Sequence, residues 1–385
     1  MPSNPLQSEQ KNPHPDPDSL EWHRLLGIIP QPPPSISHLR GQRILITGAG
    51  GSIGSALAQR IAPAEPASLI LLDSSETALY QIDRTLRATG CSPISILGSV
   101  CDRPLLADLF SRHRPEIILH AAAYKHVPLL EQNPFAAAAN NILGTQTLVE
   151  TAALHRAHHL VLVSTDKAVA PHSLMGASKR IAELLCLTQS SLRTTTVRLG
   201  NVLGSQGSVV PLFLDQIAHG GPITVTHPAA RRFFLALDQA VDALLESLTP
   251  THHEAALLAS NLTQQLRIVD LARYLIARHA SPAQIVFTTL RPGDKLEESF
   301  LSSTERWLDH LRTPSLRMIQ SPIPSSATLA ADLTRMHRAI EDRNLATLLA
   351  VLQHLVPDYT PTPELLSQIS QIAETHSIPE KVPTA

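Results

Sequence analysis

One glycine-rich stretch constrains the fold of this chain more than any other feature. The apolar run Arg43–Thr47 predicts a buried strand, and it leads directly into the sequence T-G-A-G-G-S-I-G, which ends at Gly54. A helical pattern of apolar residues follows at Ile53, Leu57 and Ile61. A strand, a glycine turn and a helix in this order predict that the helix N-terminus presents free backbone N–H groups to a diphosphate.

The spaced glycines of this turn each meet a steric need. Gly48 permits the tight turn, Gly51 lets the backbone approach a diphosphate, and Gly54 lets the helix pack closely on the strand. The spacing G-x-x-G-x-x-G is typical of the short-chain dehydrogenases. It predicts a dinucleotide site formed by Gly48, Gly50, Gly51, Ser52, Ile53 and Gly54. A purely structural glycine turn is the alternative.

The second apolar run, Leu69–Leu72, ends at Asp73, about 20 residues beyond the glycine turn. A carboxylate there accepts hydrogen bonds from the adenosine ribose of NAD and repels the 2′-phosphate of NADP. Ser74, Ser75 and Glu76 follow, so no Arg or Lys is placed to receive that phosphate. We therefore predict NAD as the cofactor. The alternative for Asp73 is a helix cap.

Short apolar runs alternate with helical stretches over the first half of the chain. After the first run they lie at Leu69–Leu72, Ile94–Leu97, Ile117–His120, Leu160–Val163 and Thr195–Leu199. Such runs predict an α/β fold, a Rossmann-type doubly wound parallel sheet with a smaller C-terminal substrate-binding lobe. The predicted parts are 1–40, a Pro-rich extension with a short helix; 41–200, the Rossmann domain, with return elements near 235–260; 201–320, the lobe; and 327–385, C-terminal helices and a tail.

The composition excludes several classes of protein. The chain has 31 Lys and Arg against 33 Asp and Glu, a formal net charge of −2, and no basic block, which argues against a nucleic-acid partner. No apolar run approaches the roughly 18 residues of a membrane span, and no secretory signal is visible. We therefore expect a cytoplasmic protein without a membrane span.

The cysteines and histidines do not predict a metal site. Three cysteines fit neither a zinc spacing nor a disulfide framework: Cys91, Cys101 and Cys186. His155 and His159 have the i, i+4 spacing of a helical metal pair, but Arg156 stands where H-E-x-x-H has its Glu. We expect no metal.

The run Leu160–Val163 ends in S-T-D-K, and a loop leads from there to a helix that begins with M-G-A-S-K-R. A strand-end hydroxyl followed by a lysine on the first helical turn, here Lys179, is the layout of a short-chain dehydrogenase site. In that layout a Tyr four residues before the Lys acts as base. This chain has Met175 there, which cannot transfer a proton.

Several longer stretches resemble the CapD/WbpM/PglF-type nucleotide-sugar 4,6-dehydratases of the extended short-chain dehydrogenase superfamily. The resemblance covers about residues 25–361, and long members of this family also commonly have Met at the Tyr position. Long members carry an N-terminal membrane region, which we do not expect here. The matching stretches are Ile44–Ser55, His120–Glu131, Asn140–Thr145, Ser164–Pro171, Arg198–Pro211, Thr224–Pro228 and Arg291–Leu296.

The resemblance implies a reaction and roles for the S-T-D-K segment. The family oxidises C4 of a UDP-linked N-acetylhexosamine with bound NAD, removes the C5 proton, expels the C6 hydroxyl and returns the hydride to C6. Asp166 would be the acid toward the C6 oxygen and Lys167 the base toward C5. Lys167 must be neutral to act, so we expect burial or the nearby Lys179 to lower its pKa. Thr165 would hydrogen-bond the C4 oxygen, and an ordinary exposed ion pair is the alternative for Asp166 and Lys167.

Other roles follow from the same resemblance. Lys179 would hold the nicotinamide ribose, and either it or a water relay would take the C4 hydroxyl proton. Asn141 would be architectural. The remaining cofactor contacts would be Val100, Ala121, Ala122 and Lys125. The sugar nucleotide would meet Lys125, His126, Asn201, Ser208, Val209, Arg232 and Arg291, the two arginines on the diphosphate. Solvated loop residues are the alternative.

The chain departs from the family pattern at Ser99, Ala230 and Asp294, which puts affinity and the choice of sugar in question. Two other functions remain open. A UDP-sugar C4 epimerase would make little use of the Asp–Lys pair, and a non-catalytic NAD- or UDP-sugar-binding module would need no base.

We also expect a homodimer or a higher homo-oligomer. In the extended superfamily the helices that correspond to Phe135–Leu154 and Gly176–Leu187 form dimer interfaces. The alternative is that these helices pack only within their own chain.

Overall fold

The structure is a computed structural model that describes residues 17–27, 32–249 and 255–376. The Pro-rich start of the chain and the last nine residues of the predicted tail lie outside the described residues. Within the described ranges, none of the helices combines the length and the apolar character that crossing a membrane requires.

The strands of the described residues are short. In chain order they are β1 (Arg43–Thr47), β2 (Ser68–Asp73), β3 (Ile94–Leu97), β4 (Ile117–His120), β5 (His159–Thr165), β6 (Arg193–Leu199), β7 (Asn201–Val202), β8 (Ile223–Val225), β9 (Arg231–Arg232), β10 (Phe234–Leu235), β11 (Ala255–Ser260), β12 (Leu266–Arg267), β13 (Ile285–Phe287), β14 (Arg306–Arg312) and β15 (Leu316–Gln320).

The helices lie between these strands and at the C-terminal end. They are α1 (Pro17–Leu26), α2 (Ser52–Ile61), α3 (Glu76–Ala88), α4 (Arg103–His113), α5 (Val127–Gln132), α6 (Pro134–Ala138), α7 (Gly144–Leu154), α8 (Leu174–Leu187), α9 (Val209–Ala218), α10 (Leu237–Glu246), α11 (Ile268–Arg278), α12 (Ser326–Glu341), α13 (Leu345–Leu355) and α14 (Pro363–His376).

Nine of the strands form one sheet in the order β14-β15-β11-β6-β5-β4-β1-β2-β3. The neighbours from β11 to β3 pair in parallel, while β15 and β14 add an antiparallel edge. The predicted α/β doubly wound class is confirmed. The antiparallel edge was not predicted, because its strands carry Arg, Asp and His residues instead of a continuous apolar run.

Both faces of the sheet are buried, which explains the continuous apolar runs. Along β1, Ile44 and Ile46 belong to one apolar cluster with helices α2 and α10, while Leu45 belongs to another with α4 and α7. Since successive side chains of a strand point to opposite faces, every position must then be apolar. The parallel strands all end at one edge, and the residues that follow them there are brought together.

The C-terminal helices cover the surface that we assigned to a dimer interface. Leu348 on α13 and Leu333 on α12 belong to the same apolar cluster as Phe135, Met175 and Ile181. The predicted helix over Phe135–Leu154 is therefore packed within its own chain, and a π-helical turn at residues 139–143 interrupts it. A homo-oligomer, and the surface that it would use, remain predictions.

A buried guanidinium holds α8 against the sheet. Arg198 on β6 is fully buried and donates to both carboxylate oxygens of Glu183 on α8, at 2.9 and 2.7 Å. It also donates to Glu305, at 2.7 and 2.9 Å. Arg180 contacts the same two carboxylates at 2.8 and 3.5 Å, so the cluster contains two cations and two anions. Burial alone would raise the pKa of Glu305, but Arg198 and Arg180 lower that pKa to about 2.

Arg198→Met should destabilise the protein strongly. The substitution leaves two carboxylates buried with only Arg180 for compensation, and breaking a buried pair in this way costs about 3–5 kcal/mol. Urea unfolding followed by circular dichroism measures the loss. The control, Arg84→Met on the exposed side of α3, should change the free energy of unfolding by less than about 0.5 kcal/mol. Equal stabilities for the two variants would contradict the assignment.

The two histidines with metal-pair spacing lie in different environments. His159 begins β5, is buried, and its Nε2 lies 2.9 Å from the Thr195 hydroxyl, whereas His155 caps the end of α7 beside Phe110. Burial lowers the pKa of His159 to about 3, with a smaller contribution from Arg193. His159 is therefore neutral in the folded protein at neutral pH.

The buried neutral His159 makes stability depend on pH. Below the ordinary histidine pKa of about 6.5 the unfolded chain binds a proton that the folded chain does not, so the free energy of unfolding falls as the pH decreases toward 3. Between pH 7 and pH 5 this histidine accounts for about 2 kcal/mol. Urea unfolding at both pH values should give a smaller loss for His159→Gln than for the wild type. Identical losses would show that His159 does not contribute.

Candidate active site

The glycine turn at the end of β1 has no room for side chains. Gly48 has φ +67°, and a Cβ there would lie 2.7 Å from the carbonyl carbon of Ala121. A Cβ on Gly54 would lie 2.0 Å from the Gly48 oxygen. The turn thus lies directly against the residues after β4, which brings Ala121 and Ala122 to the glycines, and α2 begins immediately beyond at Ser52.

The Asp73 carboxylate is part of this turn. Its Oδ2 accepts from the Gly50 backbone at 2.8 Å, and its Oδ1 accepts from the Ser75 backbone at 2.8 Å. Ser75, not Asp73, caps α3 by accepting from Ala78. Since Asp73 ends β2 beside the glycines, it stands where a dinucleotide ribose would lie.

A buried platform lies behind the turn. His120 at the end of β4 bonds Thr47 at 2.7 Å and Thr145 at 2.9 Å. Asn141, on the π-helical turn, accepts from the Tyr124 backbone N–H at 2.8 Å and donates to the Ser178 hydroxyl at 3.0 Å. It therefore fixes the segment after β4 to α8, which is the architectural role expected of it.

The two hydroxyl residues of the S-T-D-K segment, Ser164 and Thr165, lie in different surroundings. Ser164 is buried and donates to Glu183 at 2.6 Å, whereas Thr165 ends β5 and donates to Asp166 at 3.0 Å. A short 3₁₀ turn over residues 166–168 follows. Asp166 is fully buried within it, and Oδ2 of its carboxylate has no hydrogen-bond partner among the described residues. The exposed ion pair considered above is therefore excluded.

Lys167 lies between two carboxylates. Its Nζ donates to Asp166 at 3.0 Å and to the Asn201 amide oxygen at 2.8 Å, and it lies 3.7 Å from Glu298. Burial alone would lower the pKa of Lys167, but Asp166 and Glu298 outweigh burial and raise it. The expectation of a lowered pKa was therefore wrong for this structure, because it considered burial and Lys179 but neither of the two carboxylates, Asp166 and Glu298.

Burial prevails over the neighbouring lysine in its effect on the pKa of Asp166, unlike the case of Lys167. Burial raises its pKa, Lys167 lowers it, and Glu298 raises it again, so the pKa stands above its ordinary value. A raised pKa favours the protonated form of the carboxyl, which a general acid requires.

Lys179 and Met175 both lie on α8, but in different surroundings. The helix begins at Leu174 with Ser173 as its cap, so Lys179 lies on the second turn instead of the first. Burial lowers the pKa of Lys179 to about 8, against an opposing effect of Glu183. Met175 is 4% exposed and belongs to the apolar cluster under the C-terminal helices.

The residues predicted for the sugar nucleotide divide into a buried and an exposed group. Arg232 is buried, with its Nε 3.8 Å from Glu298, while Arg291 is largely exposed and pairs with Asp294 at 2.9 Å. Ser208 caps α9 without a side-chain hydrogen bond, and Val209 is the first residue of that helix.

The loop before α9 lies over the glycine turn. Its Gln206 N–H donates to the Ser52 hydroxyl at 3.0 Å, and its Gln206 carbonyl accepts from Lys125. A Cβ on Gly207 would lie 2.4 Å from His126. The loop thus brings Lys125 and His126 close to the first turn of α2. Val100, buried beside Gly144, lies on the other side of the platform.

Sequence reasoning missed two residues of this site. Glu298 is buried beside Lys167, and Lys295 donates to the Val169 carbonyl at 2.7 Å. Lys295 lies within the matching stretch Arg291–Leu296, although no role was assigned to it, and the only local signal for Glu298 was a pair of glutamates in a polar stretch. Within the described ranges no group of three or more His, Cys, Asp or Glu residues is placed to hold a metal ion.

Several known proteins are similar to this chain in sequence. Residues 44–318 match the family described as "Polysaccharide biosynthesis protein". The chain is 38% identical over 278 residues to the probable polysaccharide biosynthesis protein EpsC of Bacillus subtilis, and 39% identical over 277 residues to the capsular polysaccharide biosynthesis protein CapD of Staphylococcus aureus. These matches cover 70% and 69% of this chain but 46% of each relative, so the chain spans about half their length. A UDP-glucose 4-epimerase of Rickettsia massiliae is 30% identical over 68% of this chain and 78% of that protein.

Solved structures show the same fold. Pen from Bacillus thuringiensis is 26% identical, with a TM-score of 0.67 over 75% of this chain and 89% of that one. A double mutant of the dTDP-glucose 4,6-dehydratase DesIV from Streptomyces venezuelae, with NAD bound, is 23% identical, with a TM-score of 0.61 over 67% and 88% of the two chains. With most of its length inside the family match, the chain belongs to the polysaccharide biosynthesis protein family.

Proposed function

We propose that this chain is an NAD-dependent 4,6-dehydratase of a UDP-linked N-acetylhexosamine, with UDP-N-acetylglucosamine as the substrate, in surface polysaccharide biosynthesis. The observation that carries the proposal is the contact of 3.0 Å between Lys167 Nζ and the fully buried Asp166 carboxylate at the carboxyl edge of the sheet. The names of the two bacterial polysaccharide proteins support the biological role.

The residues at the glycine turn fit NAD. The space at Gly48 and Gly54 that a Cβ would fill lets a diphosphate reach the start of α2, and Asp73 is placed for a ribose. Lys179, beside the His120 platform, would hold the nicotinamide ribose. When bound, NAD supplies the acceptance and the return of a hydride, so the overall reaction needs no external oxidant.

The Asp166–Lys167 pair can supply both proton transfers of the elimination. Movement of one proton from Lys167 to Asp166 across their contact turns the ion pair into a neutral amine and a neutral acid. The amine then takes the C5 proton, which a C4 ketone acidifies. The acid gives its proton to the C6 oxygen, which leaves as water. After the elimination the two residues are again an ion pair. The return of a hydride to C6 needs one more proton at C5, which Lys167 can give back. The proton taken from the C4 hydroxyl then restores the pair, so the protons balance.

Lys179 is the best candidate for the base that takes the C4 hydroxyl proton. Its lowered pKa of about 8 leaves part of it neutral near neutral pH, whereas Met175 has no proton to exchange. The Thr165 hydroxyl, which donates to Asp166 and accepts from the Lys167 N–H in this structure, would turn to orient the C4 oxygen.

Epimerisation at C4 is the second candidate, and the likeness to the Rickettsia UDP-glucose 4-epimerase favours it. Mass spectrometry of the product from UDP-N-acetylglucosamine separates the two. A product lighter by one water supports the dehydratase, and deuterium from heavy water should appear at C5, which loses and regains a proton, and not at C6, which receives the hydride. An unchanged mass with altered stereochemistry indicates an epimerase. Binding without any conversion indicates a non-catalytic module.

Lys167→Ala should abolish elimination and leave NAD bound. Loss of a positioned base reduces turnover by about 10²–10⁴-fold. Lys167→Arg is the matched variant, because it keeps the ion pair with Asp166 but cannot be deprotonated. Both should be inactive by product mass spectrometry and normal in nicotinamide fluorescence titration. Near-normal turnover of either variant would exclude Lys167 as the base.

Asp73→Ala should weaken NAD binding and reduce the discrimination against NADP. The variant removes both the ribose acceptor and the acceptor for the Gly50 N–H, so it also loosens the turn. Asp73→Asn keeps one acceptor oxygen without the charge, and should bind NAD better than Asp73→Ala while tolerating NADP. Calorimetric titration with both cofactors measures these affinities, and an unchanged preference in both variants would contradict the role of Asp73.

A further inference from the structure

Glu298 is a buried carboxylate surrounded by cations. Its side chain is 3% exposed and lies in the segment between β13 and β14. One oxygen is 3.7 Å from Lys167 Nζ and 3.8 Å from Arg232 Nε, and the other is 3.3 Å from Lys295 Nζ. Oε2 has no geometrically good hydrogen bond within the part of the chain that the structure describes.

A carboxylate in this position is costly unless the charge itself is needed. Removing an ionised group from water costs several kcal/mol, and the strongest compensation comes from short, well-aligned hydrogen bonds. Glu298 has ionic contacts of 3.3–3.8 Å instead. Its backbone is held separately, because the Gln265 amide donates to the Glu298 carbonyl at 2.9 Å. The backbone of the loop therefore has an anchor of its own beside the ionic contacts of the side chain.

The charges around the Asp166–Lys167 pair come from several elements. Arg232 on β9 and Lys295 in the loop are cations, His172 lies near Lys295 before α8, and Asn201 on β7 is neutral. Without Glu298 the two cations would act on the pair unopposed. They would favour the ionised form of Asp166 and remove the proton that the acid must carry.

We propose that Glu298 is a positioning residue that offsets these cations and so sets the pH range in which the Asp166–Lys167 pair holds a single proton. The inference rests on the proposed function, since it assigns that proton to the elimination. It explains how an acid can work beside Arg232, a cation that the family resemblance places on a diphosphate. Glu298 acts through the pair and need not touch the sugar.

Glu298→Gln in the NAD-loaded protein tests the proposal. The substitution removes a negative charge and keeps the shape, so both residues of the pair lose protons more easily. Both limbs of the kcat/KM profile for UDP-N-acetylglucosamine should then move to lower pH, by about one pH unit. Glu297→Gln is the matched control, because Glu297 is the exposed neighbour, 62% exposed in its side chain. It should keep the wild-type profile.

A merely structural role would lower kcat/KM without moving the limbs, and that result would overturn the proposal. Lys295→Gln removes a cation from the same cluster, so its limbs should move to higher pH. This variant keeps the test decisive if Glu298→Gln does not fold. Movement in the same direction for both variants, or in neither, would also reject the proposal.

A second readout is independent of the reaction. Trace acetylation across pH, followed by peptide mass spectrometry, reports how readily Lys167 loses its proton. Its half-maximal labelling should occur at lower pH in Glu298→Gln than in the wild type. If the wild type forms no dehydrated product but the labelling moves, the proposed function fails and the electrostatic role of Glu298 stands. If the product forms and neither readout moves, the role of Glu298 fails alone.

Discussion

The geometry of the site depends on the buried guanidinium of Arg198. It ties Glu183 on α8 to β6, and Glu183 lies one helical turn beyond Lys179 on the same face of that helix. Glu183 also accepts from Ser164, one residue before Thr165. One carboxylate thus fixes the distance between the lysine on α8 and the catalytic turn at the end of β5. A buried pair of this kind adds little net stability, but it specifies one arrangement of the elements around it.

Buried charge pairs also join the segment before β14 to the rest of the protein at two places. Glu305 reaches the buried Arg198, and Glu298 reaches Lys167 at the catalytic turn. Both acids lie on a segment without regular secondary structure, which has no ladder of backbone hydrogen bonds to place it. Buried charge pairs take over that task, and at the second place the pair also controls proton affinity. Position and acidity are therefore determined by the same contacts.

The residues that could be predicted from the sequence are those that directly follow a strong local pattern in the chain. The glycine turn, Asp73 and Thr165–Lys167 follow apolar runs directly, and strand ends in a parallel sheet meet at one edge, so their neighbourhood could be inferred. Glu298 could not be placed in this way, because more than a hundred residues separate it from Lys167 and no periodic pattern surrounds it. The wrong sign for the pKa of Lys167 follows from leaving out the effects of both Asp166 and Glu298, which raise that pKa. The packing of the C-terminal helices against α8 was missed for a similar reason, because an apolar helix face does not reveal which surface it will pack against.

Met175 connects the C-terminal helices α12 and α13 with helix α8 of the site. The helices α12 and α13 complete an apolar cluster that contains Met175, so this side chain contributes to packing. The same cluster buries the Tyr359 hydroxyl without a hydrogen-bond partner among the described residues, and this burial makes the phenol hold its proton by raising its pKa. Burial has the opposite effect on Lys179, because an ammonium that loses water also loses its proton more easily. The same helix thus carries an apolar side chain at position 175 and, one turn later, a lysine whose pKa is lowered by burial.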